Sequence, residues 1–127
     1  MANLYNGLSF DELKKLLDEK TVQFNTPSFL PEDPFGLVHE FSDRKNLEIM
    51  GFLMATIAWG NRKSIIKSGK RIQEIFDNQP LEFVLNHTQK DLSQIKFVHR
   101  TFQTADLVFF IQQLKRLYSH HDSMEEW

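Results

Sequence analysis

Residues 47–59 are the most apolar run in the chain: Leu47, Ile49, Met50, Phe52, Leu53, Met54, Ala55, Ile57, Ala58 and Trp59, interrupted only by Glu48, Gly51 and Thr56. A helix that is apolar on every side has to be enclosed by other helices. The run therefore sets the expectation of an all-α fold, an orthogonal multi-helix bundle around a buried central helix at about 47–59, capped by Ser42 or Asp43. It is shorter than the roughly 18–20 residues needed to cross a bilayer, so no membrane partner is expected.

The next segment is opposite in character. Gly60 suits the left-handed closing position of a helix, and Asn61 is a natural N-cap for the next, about 62–77. On that helix Ile65, Gly69, Ile72, Ile75 and Phe76 face inward. Arg62, Lys63, Lys67, Lys70 and Arg71 fall on the other half, at about 100° per residue, and no acid interrupts residues 61–71. Such a face can neutralise phosphates, and the helix N-terminus adds unpaired backbone amides for one of them. Arg62 and Lys63 oppose the macrodipole at that end, which a bound anion would compensate. The plainer alternative is a solvated helix face. Trp59, at the turn, reads as a core plug more than as a platform for stacking a base.

The rest of the chain supplies the enclosing elements. Ser9 with Glu12 fits a capping box, opening a helix to about Phe24 whose stripe is Phe10, Leu13, Leu16, Leu17 and Phe24. Pro27 ends it. Residues 26–36 hold three of the four prolines, with Phe29, Leu30 and Phe35 as anchors of an ordered loop. A short helix at 36–41 follows. Pro80 starts another short helix, and Thr88 with Asp91 a further turn. Residues 97–102 alternate partly; a strand stays open, but a connecting turn is preferred, since no second strand exists to pair with it. Thr104 caps a helix of about 105–119 with Leu107, Phe110, Ile111, Leu114, Leu117 and Tyr118 inside. Ser123 with Glu126 reads as a fresh helix start, so the 127 residues are expected to be a single helical domain that is the N-terminal piece of a longer protein; a frayed tail is the alternative.

Composition narrows the function classes. The twelve phenylalanines predict an aromatic-rich core. Net charge is −2, which argues against indiscriminate nucleic-acid binding by the whole surface, but the balance is uneven: residues 1–60 hold nine acids and five bases, residues 61–127 eight acids and ten bases. The absence of Cys excludes disulfides and thiolate chemistry. Residues 1–6 lack the basic start and apolar run of a secretory signal, so a cytoplasmic protein is expected.

No catalytic set emerges. Paired carboxylates such as Asp11/Glu12 and Glu125/Glu126 are sequence neighbours, which do not converge on one substrate. His39, His87, His99, His120 and His121 lack ligand spacing, so no metal and no cofactor is expected. His99-Arg100, between Phe97 and Phe102, could stack on or clamp a nucleic acid; otherwise it is a loop pinned by two aromatics.

Residues 54–66, Met-Ala-Thr-Ile-Ala-Trp-Gly-Asn-Arg-Lys-Ser-Ile-Ile, and 97–102, Phe-Val-His-Arg-Thr-Phe, resemble a family of bacterial conserved proteins of unknown function, over nearly the whole chain from about Leu13. Members of that family extend well past this length. That family is in turn distantly similar, in its order of elements, to the helix-hairpin-helix base-excision DNA glycosylases. In those enzymes the DNA-gripping Gly-rich hairpin and the catalytic Lys or Asp follow this region, and this chain has no such hairpin. The resemblance thus implies scaffold and a DNA-contact surface belonging to a DNA-repair glycosylase-like protein, without the chemistry. Asn61, Arg62, Lys63, Lys67, Lys70, Arg71, His99 and Arg100 are the candidate DNA-binding residues. The alternative is a non-catalytic helical interaction module, whose apolar face is covered by its own C-terminal half or by self-association.

Overall fold

The structure is a computed structural model that describes residues 7–127; residues 1–6, and with them the reading of the N-terminus, lie outside the described residues. It falls into two compact units, one up to Glu32 and one of Asp33–Trp127.

In the first unit, helix α1 (Phe10–Phe24) begins where its capping box predicts. The Glu12 amide donates to Ser9 Oγ at 3.3 Å, and the Ser9 amide donates to Glu12 Oε2 at 2.8 Å. Asn25 ends the helix, and a 3-10 turn at Pro27–Glu32 follows, with Phe29 edge-on to Phe24. The expected stripe is present, but none of it is buried: Phe10 is 80% exposed, and Leu17 and Phe24 are about half exposed. One helix and one turn have too little surface to enclose an apolar face of their own.

The second unit is mostly helical: α2 (Phe35–Val38), α3 (Arg44–Ile57), α4 (Arg62–Ile75), α5 (Pro80–Asn86), α6 (Gln89–Gln94) and α7 (Thr104–His120), with a closing 3-10 turn at Met124–Glu126. Asp43 caps α3 by accepting from the Asn46 amide at 3.1 Å. Helix α3 is central. It packs on α2, α4 and α5, and Ile49, Met50, Leu53 and Ile57 are sealed from solvent. Each such side chain contributes about 1.5–3 kcal/mol of transfer free energy. Ile65 and Ile72 of α4, Val84 of α5, and Leu107, Ile111 and Leu114 of α7 complete the core.

Two expectations about this core are corrected. The central helix is not enclosed on every side, because Phe52 is 39% exposed and Ala55 lies outside. The core is also mainly aliphatic. Of the twelve phenylalanines, only Phe76 and Phe97 are fully buried. Most of the others line the margins, as in the stacked pair Phe102 and Phe110.

Residues 97–103 depart from the connecting turn. Val98–His99 (β1) and Phe102–Gln103 (β2) pair antiparallel, Val98 opposite Gln103 and His99 opposite Phe102. The partner strand is the segment's own second half. Thr104 is accordingly not the cap of α7. Gln103 is, while Thr104 Oγ1 accepts from the Phe97 amide at 2.9 Å and donates to its carbonyl at 3.1 Å, closing the hairpin.

Candidate nucleic-acid interface

Two chain reversals meet at one place: the exit of α3, through Ala58, Trp59 and Gly60, and the tip of the hairpin, Arg100-Thr101. Helix α3 closes at Ile57 because Ala58 leaves helical geometry. Gly60 then takes φ +105°, a region side-chain-bearing residues rarely adopt. Asn61 opens α4 as expected, its Oδ1 accepting from the Lys63 amide at 2.9 Å and the Ser64 amide at 3.3 Å. That corrects the idea of a free amide cradle at this helix end: Asn61 itself takes up two of the amides an anion would have used.

His99 joins the two reversals from inside. It is 3% exposed, with Nε2 at 3.2 Å from the Trp59 carbonyl oxygen and Nδ1 at 2.8 Å from Ser68 Oγ on α4. A carbonyl only accepts, so Nε2 carries the proton, and in the neutral ring Nδ1 accepts from the Ser68 hydroxyl. His99 is thus a clamp holding hairpin, turn and helix together, not a surface ligand. The indole of Trp59 meets the His99 ring edge-on, centroids 5.9 Å apart, yet remains 40% exposed. It is not the core plug the sequence suggests.

Arg100 lies over that indole, its guanidinium carbon 4.8 Å from the ring centroid. Its backbone has φ +55°. A two-residue hairpin turn asks for φ > 0 at its first position, which Gly or Asn usually supplies. Here an arginine carries the strain, and its side chain is delivered onto Trp59.

The basic residues lie along α4 and at the hairpin tip. Arg62, Lys63, Lys67 and Lys70 are exposed along α4, as is Arg100 on the hairpin. Among the described residues none of these five has a carboxylate within ion-pair distance. Arg71 is different: its Nη1 is 3.1 Å from Glu74 Oε2, so part of its charge is answered locally.

A second polar centre is not evident from the sequence. Glu48, which merely interrupts the apolar run, accepts from Ser123 Oγ at 2.6 Å, Tyr118 Oη at 2.7 Å, the Met124 amide at 3.1 Å and Arg44 Nε at 3.2 Å. Burial alone would raise its pKa, but the bonds from Ser123, Tyr118, Met124 and Arg44 outweigh it and hold the carboxyl below the ordinary glutamate value. Burial, and then the bond to Glu48, push the Tyr118 hydroxyl up. Arg44 also reaches Glu125 Oε2 at 2.7 Å, and Lys45 reaches Asp122 Oδ1 at 3.2 Å. The final turn is therefore fastened to the start of α3. An acid inside an apolar run was the available signal, since a carboxylate there needs partners.

Next to this fastening lies an apolar groove of about 590 Å³, lined by Phe52, Phe109, Phe110, Leu117, Met124 and Trp127 among others. Among the described residues no group of three or more His, Asp or Glu gathers as a metal site, and no helix is long and apolar enough to cross a membrane.

Compared with known families, residues 33–127 match the model of one described as "Protein of unknown function (DUF2400)". Curated proteins and solved structures give no match.

Proposed function

We propose that this chain, which belongs to the DUF2400 family of unknown function, is the DNA-binding part of a larger DNA-repair glycosylase-like protein, with the chemistry carried outside these residues. The observation that carries the reading is the set of exposed cations along α4 and at the tip of the hairpin. Arg62, Lys63, Lys67, Lys70 and Arg100 are exposed and lack carboxylate partners among the described residues. A protein surface normally intersperses signs, and a same-sign cluster is the footprint expected for a phosphate backbone. Asn61 and His99 support the site by shaping the turn, and Arg71 adds a weaker contact because Glu74 competes for it. The likeness in element order to helix-hairpin-helix glycosylases suggests DNA as the polyanion.

The test is binding of a fluorescent DNA oligonucleotide across a salt series. Lys67→Glu with Lys70→Glu should weaken binding, and the slope of log K against log salt should shrink by about 2, one for each phosphate that is no longer neutralised. An unchanged slope removes the proposal.

The groove favours a second reading, a helical interaction module. An opening lined by Phe52, Phe109, Met124 and Trp127 is larger than scattered surface apolar residues require. A second copy, or the protein's own further residues, would fill it. A mass that rises with concentration, together with absence of DNA affinity, selects this reading over the first.

A further inference from the structure

We infer that the Trp59–Arg100 pair is a stacking platform for an unpaired base, so that the junction prefers single-stranded over duplex DNA; this rests on the backbone-binding reading above and goes beyond it. Three independent features converge on the pair. The indole is 40% exposed although it ends the most apolar run in the chain, where burial would be favourable. The guanidinium over it belongs to a residue in a strained backbone conformation, φ +55° at Arg100. Retained strain at an exposed site is a pointer to function rather than to stability. The third feature is Gly60, whose missing Cβ leaves the path for the Arg100 side chain: a Cβ there would stand 2.6 Å from Nη1 and 3.1 Å from Cδ.

The chemistry selects the ligand. A flat aromatic ring capped by a guanidinium extends naturally by one more planar layer, and every nucleobase offers a π-face for it. The chain that carries such a base is also the polyanion that Arg62 and Lys63, which follow Gly60-Asn61 at the start of α4, would hold. In a duplex the bases are already stacked on one another, so their faces are withheld and only the phosphates remain. His99 positions the platform from below: its edge-on contact and its bond to the Trp59 carbonyl fix both ring and backbone.

The experiment uses the full chain with Trp127→Phe, which leaves Trp59 as the single tryptophan. Oligo-dT and a duplex of equal length are titrated at low salt, reading Trp59 emission and, separately, anisotropy of labelled DNA. The platform predicts quenching of Trp59 by oligo-dT but not by duplex, and tighter binding of the single strand. Trp59→Ala should weaken oligo-dT binding about tenfold and duplex binding far less, and Trp59→Phe should restore most of the loss. Arg100→Gly, which suits the turn and keeps the hairpin, should weaken both ligands, the single strand more. Equal affinity for the two DNAs without quenching overturns the platform and leaves the phosphate reading standing. Absence of binding to either DNA overturns both.

Discussion

A Cβ placed on Gly60 would stand 2.6 Å from Nη1 of Arg100, so a side chain at residue 60 would displace the Arg100 guanidinium from its place over Trp59. Gly60→Ala is therefore costly twice. It forces Ala to φ +105°, a conformation costing about 1–3 kcal/mol, and it pushes the guanidinium off Trp59. The expected outcome is a fall in the urea midpoint at an unchanged m-value, with a shifted Trp59 emission. Arg100→Gly relieves the φ +55° strain while losing the cation–π contact. These terms are each about 1 kcal/mol, and stability should stay within about 1 kcal/mol of the parent.

His99→Phe keeps the ring volume but removes both hydrogen bonds. The Trp59 carbonyl and the Ser68 hydroxyl then lose their partner in a site where His99 is 3% exposed. Each unsatisfied group costs about 1–3 kcal/mol, so a loss of about 2–4 kcal/mol is expected. Ser68→Ala alone should cost less. Combined with His99→Phe it should add less than its own single effect, since the bond it removes is already gone. Chemical denaturation of the four proteins in the cycle measures this coupling.

The outline of the fold is legible in the chain because its signals are local. Capping residues Ser9, Asn61 and Thr88 and the breaker Pro80 each act within a few positions, and the helices begin where they predict. The illegible part depends on contacts distant in sequence. Glu48 bonds to Tyr118 and Ser123, and His99 to Trp59 and Ser68. The exposure of Trp59 likewise follows from where the hairpin lands, and the hairpin is obscure in sequence because its two strands are only two residues each. Of the candidate site, the basic side of α4 is visible as a pattern. The burial of His99 and the pairing of Arg71 with Glu74 are not.

Glu48 predicts an acid dependence with a definite sign. Its carboxyl is held below the ordinary value by four donors that outweigh burial. Its contribution to stability is therefore complete above the unfolded-state pKa of about 4.3 and is lost as pH falls through the lower folded value. Glu48→Gln removes the charge but keeps the shape. It should cost about 1–2 kcal/mol at neutral pH, and the gap to the parent should close as the solution is acidified below about pH 4. Thermal melts from neutral to acid pH test it; a gap of constant size would show that the network adds no charge-dependent stability. Hydrogen exchange of the Met124 amide, which donates to Glu48, should quicken in the variant.

Gly69 sets the approach of α4 to α2 and α3. An added Cβ there would come within 2.5 Å of Leu37 Cδ1 and of Met54 Sδ. Two effects of Gly69→Ala compete. The helix gains up to about 1 kcal/mol from replacing Gly in its interior. Against this, Leu37 and Met54 must both move although each is buried, and overpacking a filled core costs about 1–3 kcal/mol. The two opposing side chains move together from buried positions, which places the cost in the middle of that range. The expected sum is a net loss of about 1 kcal/mol, read as a lower urea midpoint. Gly69→Ala with Met54→Ala opens the space the methyl needs, so the double variant should lose less than the sum of its two single losses. Strict additivity would mean that the helices can separate without meeting resistance from Met54.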